Sequence, residues 1–307
     1  MLPSFMDVEK AAERLKGHAV RTPVIESPRL NHMTGGRILI KAECLQRTGS
    51  FKFRGAWNRI SQLDAVSTPG GVVAYSSGNH AQGVAAAAAL RGIPALIVMP
   101  ADTPQIKQDN TRAFGAEVVT YDRATQSREE IAARFVAERG AVLVPPFEHA
   151  DIIAGQGTAG LELAEEAAAR GVALAMNAAS PATRVHPVEP VGFDDYARSL
   201  RSGRLERNPQ ASGSICDALM TVSPGEMTFA INSKLVGEGL TVSDAEAAEA
   251  VRFAFEVLKL VLEPGGAVAL AAVLSGKIEA KGRAIGVIAS GGNCDPLTFA
   301  RILRREI

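Results

Sequence analysis

The chain has 307 residues, 47% of them apolar and 21% charged, with 33 basic and 33 acidic side chains. This is the composition of a globular protein with one large domain or two modest ones. The balanced charge offers no basic face for nucleic acid or an anionic membrane, and no apolar run is long enough to span a bilayer.

Met1 to Lys16 lacks the basic start and apolar stretch of a signal peptide. Asp7 to Lys16 reads instead as an amphipathic helix ended by Gly17. The three cysteines, Cys44, Cys216 and Cys294, form no C-x-x-C pair. Reduced thiols in a cytoplasmic protein are therefore expected.

From Val72 onward, strands and helices alternate. Val72–Tyr75, Ala95–Met99, Glu117–Tyr121 and Ala141–Val144 read as strands. Helices are predicted over Asn79–Leu90, Pro104–Phe114, Arg128–Arg139 and Thr158–Arg170. The alternation predicts a parallel sheet with helices on its faces. A second run follows: a strand at Arg184–Glu189, helices at Glu226–Lys234, Ser243–Leu260 and Ala267–Leu274, a strand at Ala284–Ala289 and a helix at Pro296–Arg304. Two α/β units with a ligand cleft between them are expected. Gly157–Ser180 is helix-prone throughout, where the rhythm calls for a strand.

Four phrases carry chemistry. The first runs from Lys41 to Ala56 and contains Gln46-Arg-Thr-Gly-Ser-Phe-Lys52-Phe-Arg-Gly. A helix is expected to open around Ser50, with Lys52 in its first turn. The helix dipole disfavours positive charge there. That field, with burial, lowers a lysine pKa, as a Schiff-base lysine requires. The second is Ser76-Ser-Gly-Asn-His-Ala-Gln-Gly83, a small-residue turn between strand and helix. Its backbone N–H groups form an anion site, and Ser77 or Asn79 could equally cap the helix. The third is Val287-Ile-Ala-Ser-Gly-Gly-Asn-Cys294, again strand then glycine turn. The fourth is Val188-Glu-Pro-Val-Gly-Phe-Asp-Asp195, which by itself reads as an acidic helix start.

Taken together and in this order, these phrases resemble the fold-type II pyridoxal-phosphate enzymes, specifically the threonine/serine dehydratase and serine racemase group. Glu263-Pro-Gly-Gly-Ala267 and Ser214-Ile-Cys-Asp-Ala-Leu219 add to the likeness. The resemblance extends from Arg21-Thr-Pro23 almost to the C-terminus. It implies an α/β, two-domain, tryptophan synthase β-like architecture, each domain a mostly parallel sheet flanked by helices. The large cofactor domain would comprise residues 1–71 and 145–307, with a small mobile domain of 72–144.

The resemblance also implies roles. Lys52 would hold pyridoxal phosphate and take the substrate's α-proton, and Ser77 matches the second acid/base position of racemases. Phe51, Asn79, Glu263, Ser290 and Gly291 would surround the cofactor, with Asn79 at the phenolic oxygen and Ser290 at the ring nitrogen. A neutral hydroxyl at that nitrogen weakens the electron sink, which suits β-elimination better than transamination. Ser76, Ser77, Gly78, Asn79 and His80 would form the substrate loop, with His80 more structural than catalytic. Glu189, Asp195 and the Phe193 carbonyl would hold Mg²⁺ or Ca²⁺.

The expected activity is dehydration and deamination of L-threonine or L-serine to a 2-oxo acid and ammonia, in a homodimer without a feedback domain. Serine racemisation is the alternative. A third reading, an impaired homologue with a binding or regulatory role, rests on a gap. The glycine-rich loop that holds the cofactor phosphate in this family should lie between Arg170 and Pro181, and it is missing. By the resemblance, on the order of fifteen to twenty residues and one strand are skipped. An omitted segment, a true deletion and a re-routed helix all account for it.

Overall fold

The computed structural model describes residues 2–167, 183–210 and 212–307. The skipped strand, the phosphate loop and the junction at Gly171 fall outside the described residues.

The first helix, α1 (Phe5–Leu15), is closed by a capping box between Ser4 and Asp7 and buries Val8, Ala11 and Leu15. Two elements that the sequence reading left unassigned follow: β1 (Val24–Glu26) and α2 (Pro28–Thr34). Next come β2 (Arg37–Lys41) and α3 (Lys52–Ile60). The alternating run is β3 (Val72–Tyr75), α4 (Asn79–Arg91), β4 (Ala95–Pro100), α5 (Gln105–Ala113), β5 (Glu117–Tyr121), α6 (Arg128–Arg139) and β6 (Val142–Leu143). These boundaries fall within two residues of those expected.

The strands β5-β4-β3-β6 form one parallel sheet in that order. Both faces are covered, which is why its strands read as continuous apolar runs. Val73, Leu96 and Val98 pack with Ala132 of α6. Val72, Ala74, Ile97 and Met99 turn the other way, onto Phe53, Ala56, Trp57 and Ile60 of α3 and the alanines of α4.

The helix α7 (Ala150–Ala167) starts eight residues before the predicted Thr158. Gly155 and Gly157 weaken the local helix signal. Packing requires the first of them, since a Cβ at Gly155 would stand 2.6 Å from the Arg54 carbonyl oxygen. The ionic tie between α3 and α7 is buried. Arg54 reaches Glu43 at 2.7 Å and Glu162 at 2.7 Å, and Lys41 reaches Glu162 at 2.7 Å.

The remaining elements are β7 (Val188–Pro190), α8 (Asp195–Ser202), α9 (Glu226–Asn232), β8 (Leu240–Val242), α10 (Asp244–Phe253), α11 (Pro264–Leu274), β9 (Ala284–Ile288) and α12 (Pro296–Leu303). The predicted strand at Arg184–Glu189 is corrected to β7; Val185 makes only a single bridge, to Val236. The helix predicted over Ser243–Leu260 ends earlier, in a π-helical turn over Ala254–Leu258 closed by Lys259 at φ 60°. β2 pairs antiparallel with β1 and parallel with β9, and β7 pairs parallel with β8. The second core gathers Ile38 and Ile40 with Val251, Leu270, Ala271 and Val287.

Candidate active site

Three turns meet around Lys52. The turn before α3 carries Thr48 at φ 85° and Gly49 at φ 71°. A β-branched residue at positive φ is strained by about 1–3 kcal/mol and needs outside support. The glycine turn after β9 supplies it. Asn293 Nδ2 donates to the Thr48 carbonyl at 2.8 Å, and the Gly292 N–H donates to the Gly49 carbonyl at 2.9 Å. Ser50 bridges Gly291, and the Phe51 N–H donates to the Ser290 carbonyl at 3.1 Å.

Lys52 is the first residue of α3. Its ammonium donates to the Pro146 carbonyl at 2.9 Å and lies 5.1 Å from the centre of the Phe51 ring. Burial disfavours the charged form and lowers its pKa to about 8.

The Ser76–His80 turn joins β3 to α4. Gly78 occupies the cap position, and no side chain caps the helix. The first N–H groups of α4 therefore remain available for an anion. The alternative of a Ser77 or Asn79 cap is not what forms; Ser76 Oγ instead accepts from the Gly78 N–H at 3.2 Å. His80 is buried, and its Nε2 meets the Val144 carbonyl at 2.9 Å. Burial and the nearby Lys52 charge push its pKa down to about 3. The ring is thus neutral and bonded to main chain; the sequence reading expects a structural more than a catalytic part for it.

Asn79 stands between the other turns. Its Oδ1 accepts from Asn293 Nδ2 at 2.8 Å, and its Nδ2 donates to Glu263 Oε1. Glu263 is almost fully buried, and burial raises its pKa. Lys107, from α5, crosses to this group. Its ammonium lies 2.6 Å from Asp217 and 3.8 Å from Glu263, with its stem against Gly78. Burial alone would depress the Lys107 pKa, but the two carboxylates outweigh it and hold the pKa up. A cavity of about 310 Å³ opens here, lined among others by Ser77, Lys107, Ser214, Asp217, Glu263 and Cys294.

A buried amine of lowered pKa beside an uncapped helix start and a glycine turn is the arrangement of a carbonyl-cofactor site. The comparisons with known proteins decide which one. A family model described as pyridoxal-phosphate dependent enzyme matches residues 15–291. The chain belongs to this family.

Within it, the chain is 44% identical to an L-threo-3-hydroxyaspartate ammonia-lyase from Pseudomonas sp, over 99% of both chains. It is 39% identical to an L-threonine ammonia-lyase from Thermotoga maritima, covering 98% of this chain and 78% of that protein. The structure of maize serine racemase superposes with a TM-score of 0.92 at 36% identity, covering 100% of this chain and 98% of that one. The fold is therefore the fold-type II α/β architecture, and the cofactor is pyridoxal phosphate.

The described part of the site suits that cofactor. Ser50 Oγ and Glu263 Oε2 are buried without a hydrogen-bond partner, although the Lys107 ammonium lies 3.8 Å from that Glu263 oxygen. Gly291 lines the same space, where a Cβ would strike Glu263 Oε1 at 2.1 Å. Of the residues expected around the ring, Phe51, Lys52, Asn79, Ser290 and Gly291 sit on the three converging turns, and Glu263, just before α11, joins them through Asn79 Nδ2 and through its own N–H, which donates to the Gly291 carbonyl at 3.1 Å. The pyridoxal-phosphate family motif also pointed to Asn293 without giving it a task; its amide is what joins those turns. Lys107 and Pro146 were missed, and no local signal marks them; Asp217 lies in the phrase Ser214–Leu219, where the sequence reading gives it no role. Lys107 in particular looks like any lysine of an amphipathic helix.

The acidic phrase lies apart from these turns. Glu189 accepts from the N–H groups of Tyr196 and Ala197 at 2.9 and 2.8 Å, at the start of α8. Asp195 accepts from Asn208 Nδ2 at 2.5 Å. Burial, then the charges of Asp195 and Asp194, raises the Glu189 pKa to about 7. Among the described residues, no group of three or more His, Cys, Asp or Glu side chains could hold a metal ion. No helix of the described residues is long and apolar enough to cross a membrane.

Proposed function

We propose that this chain is an ammonia-lyase of β-hydroxy-α-amino acids, with L-threo-3-hydroxyaspartate ahead of L-serine and L-threonine. The observation that carries the reaction class is Lys52. It is an amine with a pKa near 8, next to a helix start whose N–H groups lack a side-chain cap. The 44% identity with the Pseudomonas protein supports the substrate order.

Pyridoxal phosphate, when bound, supplies an electron sink that acidifies the substrate's α-carbon. The N–H groups opening α4 hold the α-carboxylate, with Ser76 and Gly78 shaping the loop. Lys52 Nζ, neutral near pH 8, takes the α-proton. Lys107 and Asp217 close the cleft and limit water. The β-hydroxyl departs, and the unsaturated amine left behind hydrolyses. The net change is one hydroxy amino acid to one 2-oxo acid and one ammonia.

The site works in this reading as part of a homodimer in the cytoplasm, with residues 72–144 moving as a small domain against the rest. A separate sheet within 72–143 supports that division. Mg²⁺ or Ca²⁺ at Glu189, Asp195 and the Phe193 carbonyl belongs to the same reading. Serine racemisation is the second reading, favoured by Ser77, which lines the cavity as an acid for the opposite face. A catalytically impaired homologue is the third, resting on the phosphate loop that the sequence omits.

One set of assays separates them. Purified protein supplied with cofactor is given each hydroxy amino acid, and 2-oxo acid, ammonia and D-serine are measured. Borohydride reduction and peptide mass spectrometry locate the cofactor. The expected result is an adduct on Lys52 and 2-oxo acid formation fastest from L-threo-3-hydroxyaspartate. D-serine as the main product selects the racemase, and no adduct on Lys52 sinks both enzyme readings.

A further inference from the structure

We infer that Gln156 is a positioning residue for Lys52: its amide shares the Pro146 carbonyl with the lysine amine and keeps that carbonyl bonded when the lysine leaves it for the cofactor. This rests on the reading of Lys52 as the cofactor lysine.

A carbonyl oxygen has two lone pairs, and this one has two donors. Lys52 Nζ donates to it at 2.9 Å and Gln156 Nε2 at 3.2 Å. The donors come from different helices, Lys52 from the first position of α3 and Gln156 from α7. Gly55 lets the two helices bring them together, since a Cβ there would stand 3.1 Å from Gln156 Nε2.

The carbonyl cannot follow the lysine, because the chain is pinned on both sides of it. Before it, the Val144 N–H donates to the Val73 carbonyl at 2.8 Å, and the Val144 carbonyl accepts from His80 Nε2 at 2.9 Å. After it, Glu148 accepts from the N–H groups of Met227 and Thr228 at 2.9 and 3.1 Å. Pro145 and Pro146 lie between, with φ locked by their rings. When Lys52 departs, the oxygen therefore stays in place, and a part-buried oxygen without a donor is unfavourable. Gln156 removes that penalty. Its amide also competes with the ammonium for the same oxygen, which weakens the hold on the charged lysine. Both effects favour release of the lysine. Burial is what lowers the Lys52 pKa, and His80, the titratable group facing it from α4, is neutral with its own pKa near 3.

The test uses the full chain. Uptake of pyridoxal phosphate is followed by absorbance across pH in wild type and in Gln156→Met, which keeps the volume but has no amide. The midpoint of uptake is expected to rise by about half a pH unit in the variant, since the ammonium then has the carbonyl to itself. The cofactor dissociation constant above that midpoint is expected to rise about three- to tenfold. A double-mutant cycle in denaturant needs no cofactor. With Lys52→Met in the background, Gln156→Met leaves the carbonyl with neither donor. It should then raise the unfolding constant about fivefold more than it does with Lys52 in place, an excess that lost packing alone does not produce. Gln156→Leu replaces Gln156→Met where the latter does not fold. Additive losses in the cycle, or a wild-type midpoint and affinity in Gln156→Met, overturn the inference. Wild type that forms no adduct on Lys52 overturns the cofactor reading instead, and the cycle still decides whether the two side chains share the carbonyl.

Discussion

The amide of Asn293 donates a hydrogen bond to the side-chain oxygen of Asn79 at 2.8 Å. The same amide donates to the carbonyl of Thr48 at 2.8 Å. One side chain of the glycine turn thus bonds both the turn before Lys52 and the Ser76–His80 turn. With the Gly292 N–H on the Gly49 carbonyl, the bond to Thr48 supports that residue's strained backbone.

Asn293→Ala should therefore act at a distance from itself. Loss of both bonds, about 1–2 kcal/mol in a partly buried place, leaves the Asn79 oxygen and the Thr48 carbonyl unpaired. Denaturant unfolding should show that loss of stability. A spectroscopic titration with pyridoxal phosphate should show cofactor affinity lowered about tenfold, since 1.4 kcal/mol is a factor of ten. Unchanged affinity would mean that the three turns hold their places independently.

Lys52 makes cofactor loading pH-dependent. Its amine reacts only when neutral, and burial places its pKa near 8 against the ordinary 10.5. The rate at which cofactor-free protein takes up pyridoxal phosphate should rise with pH and level off just above 8. Stopped-flow absorbance reads this directly. A rate still climbing at pH 10 would show the lysine to be solvated.

His80 predicts the acid side of stability. Its folded pKa of about 3 lies below the ordinary 6.5. The unfolded chain then binds more protons between those values, so stability falls as pH drops from 6.5 towards 3. His80→Gln can keep a donor for the Val144 carbonyl but has no proton to gain. The difference in unfolding free energy between wild type and variant should move in the variant's favour as pH falls from 6.5 to 4. A constant difference would show that the buried ring does not resist protonation.

Arg54 is fully buried among Glu43, Glu162 and Thr158. Arg54→Met leaves two carboxylates facing one lysine and should cost about 3–5 kcal/mol in denaturant unfolding. A loss below 1 kcal/mol would mean that water reaches the cluster.

Glu189 offers a check on the cation. Its pKa near 7 follows from burial and from two acidic neighbours. A divalent ion must displace that proton, so Ca²⁺ should raise Tm more at pH 8 than at pH 6. Glu189→Gln should abolish the effect. No Ca²⁺ or Mg²⁺ dependence at pH 8 would leave Glu189 of β7 as the acceptor for the first N–H groups of α8, with Asp195 as that helix's first residue.

Much of this site could be read in the sequence because its turns are local. Lys52, Asn79 and Ser290 each sit in a short phrase of glycine and small polar residues after a strand, and each such phrase dictates its own backbone. The parallel run from Val72 was legible for a similar reason, since strands covered on both faces must be apolar throughout. Contacts between distant segments were not. The Lys52 bond to Pro146 spans 94 residues and the Lys107 bond to Asp217 spans 110. Neither partner has a neighbour in sequence that hints at the other. Short β1, α2 and β8 were missed because three to seven residues are too few to show a period.

The pairing of β2 with β9 has a consequence for how the protein is made. The strand at 37–41 emerges from the ribosome long before its parallel partner at 284–288. Throughout most of translation the turn at Thr48 has neither Asn293 nor Gly292 to hold it. Non-local pairing of this kind is slow to form and leaves apolar edges waiting. Lys52 is thus synthesised early, while the turns that surround it are completed only when residues 290–293 arrive. Premature termination between Lys52 and the final strand should yield a chain with the lysine but without the turn at 290–293 that frames it.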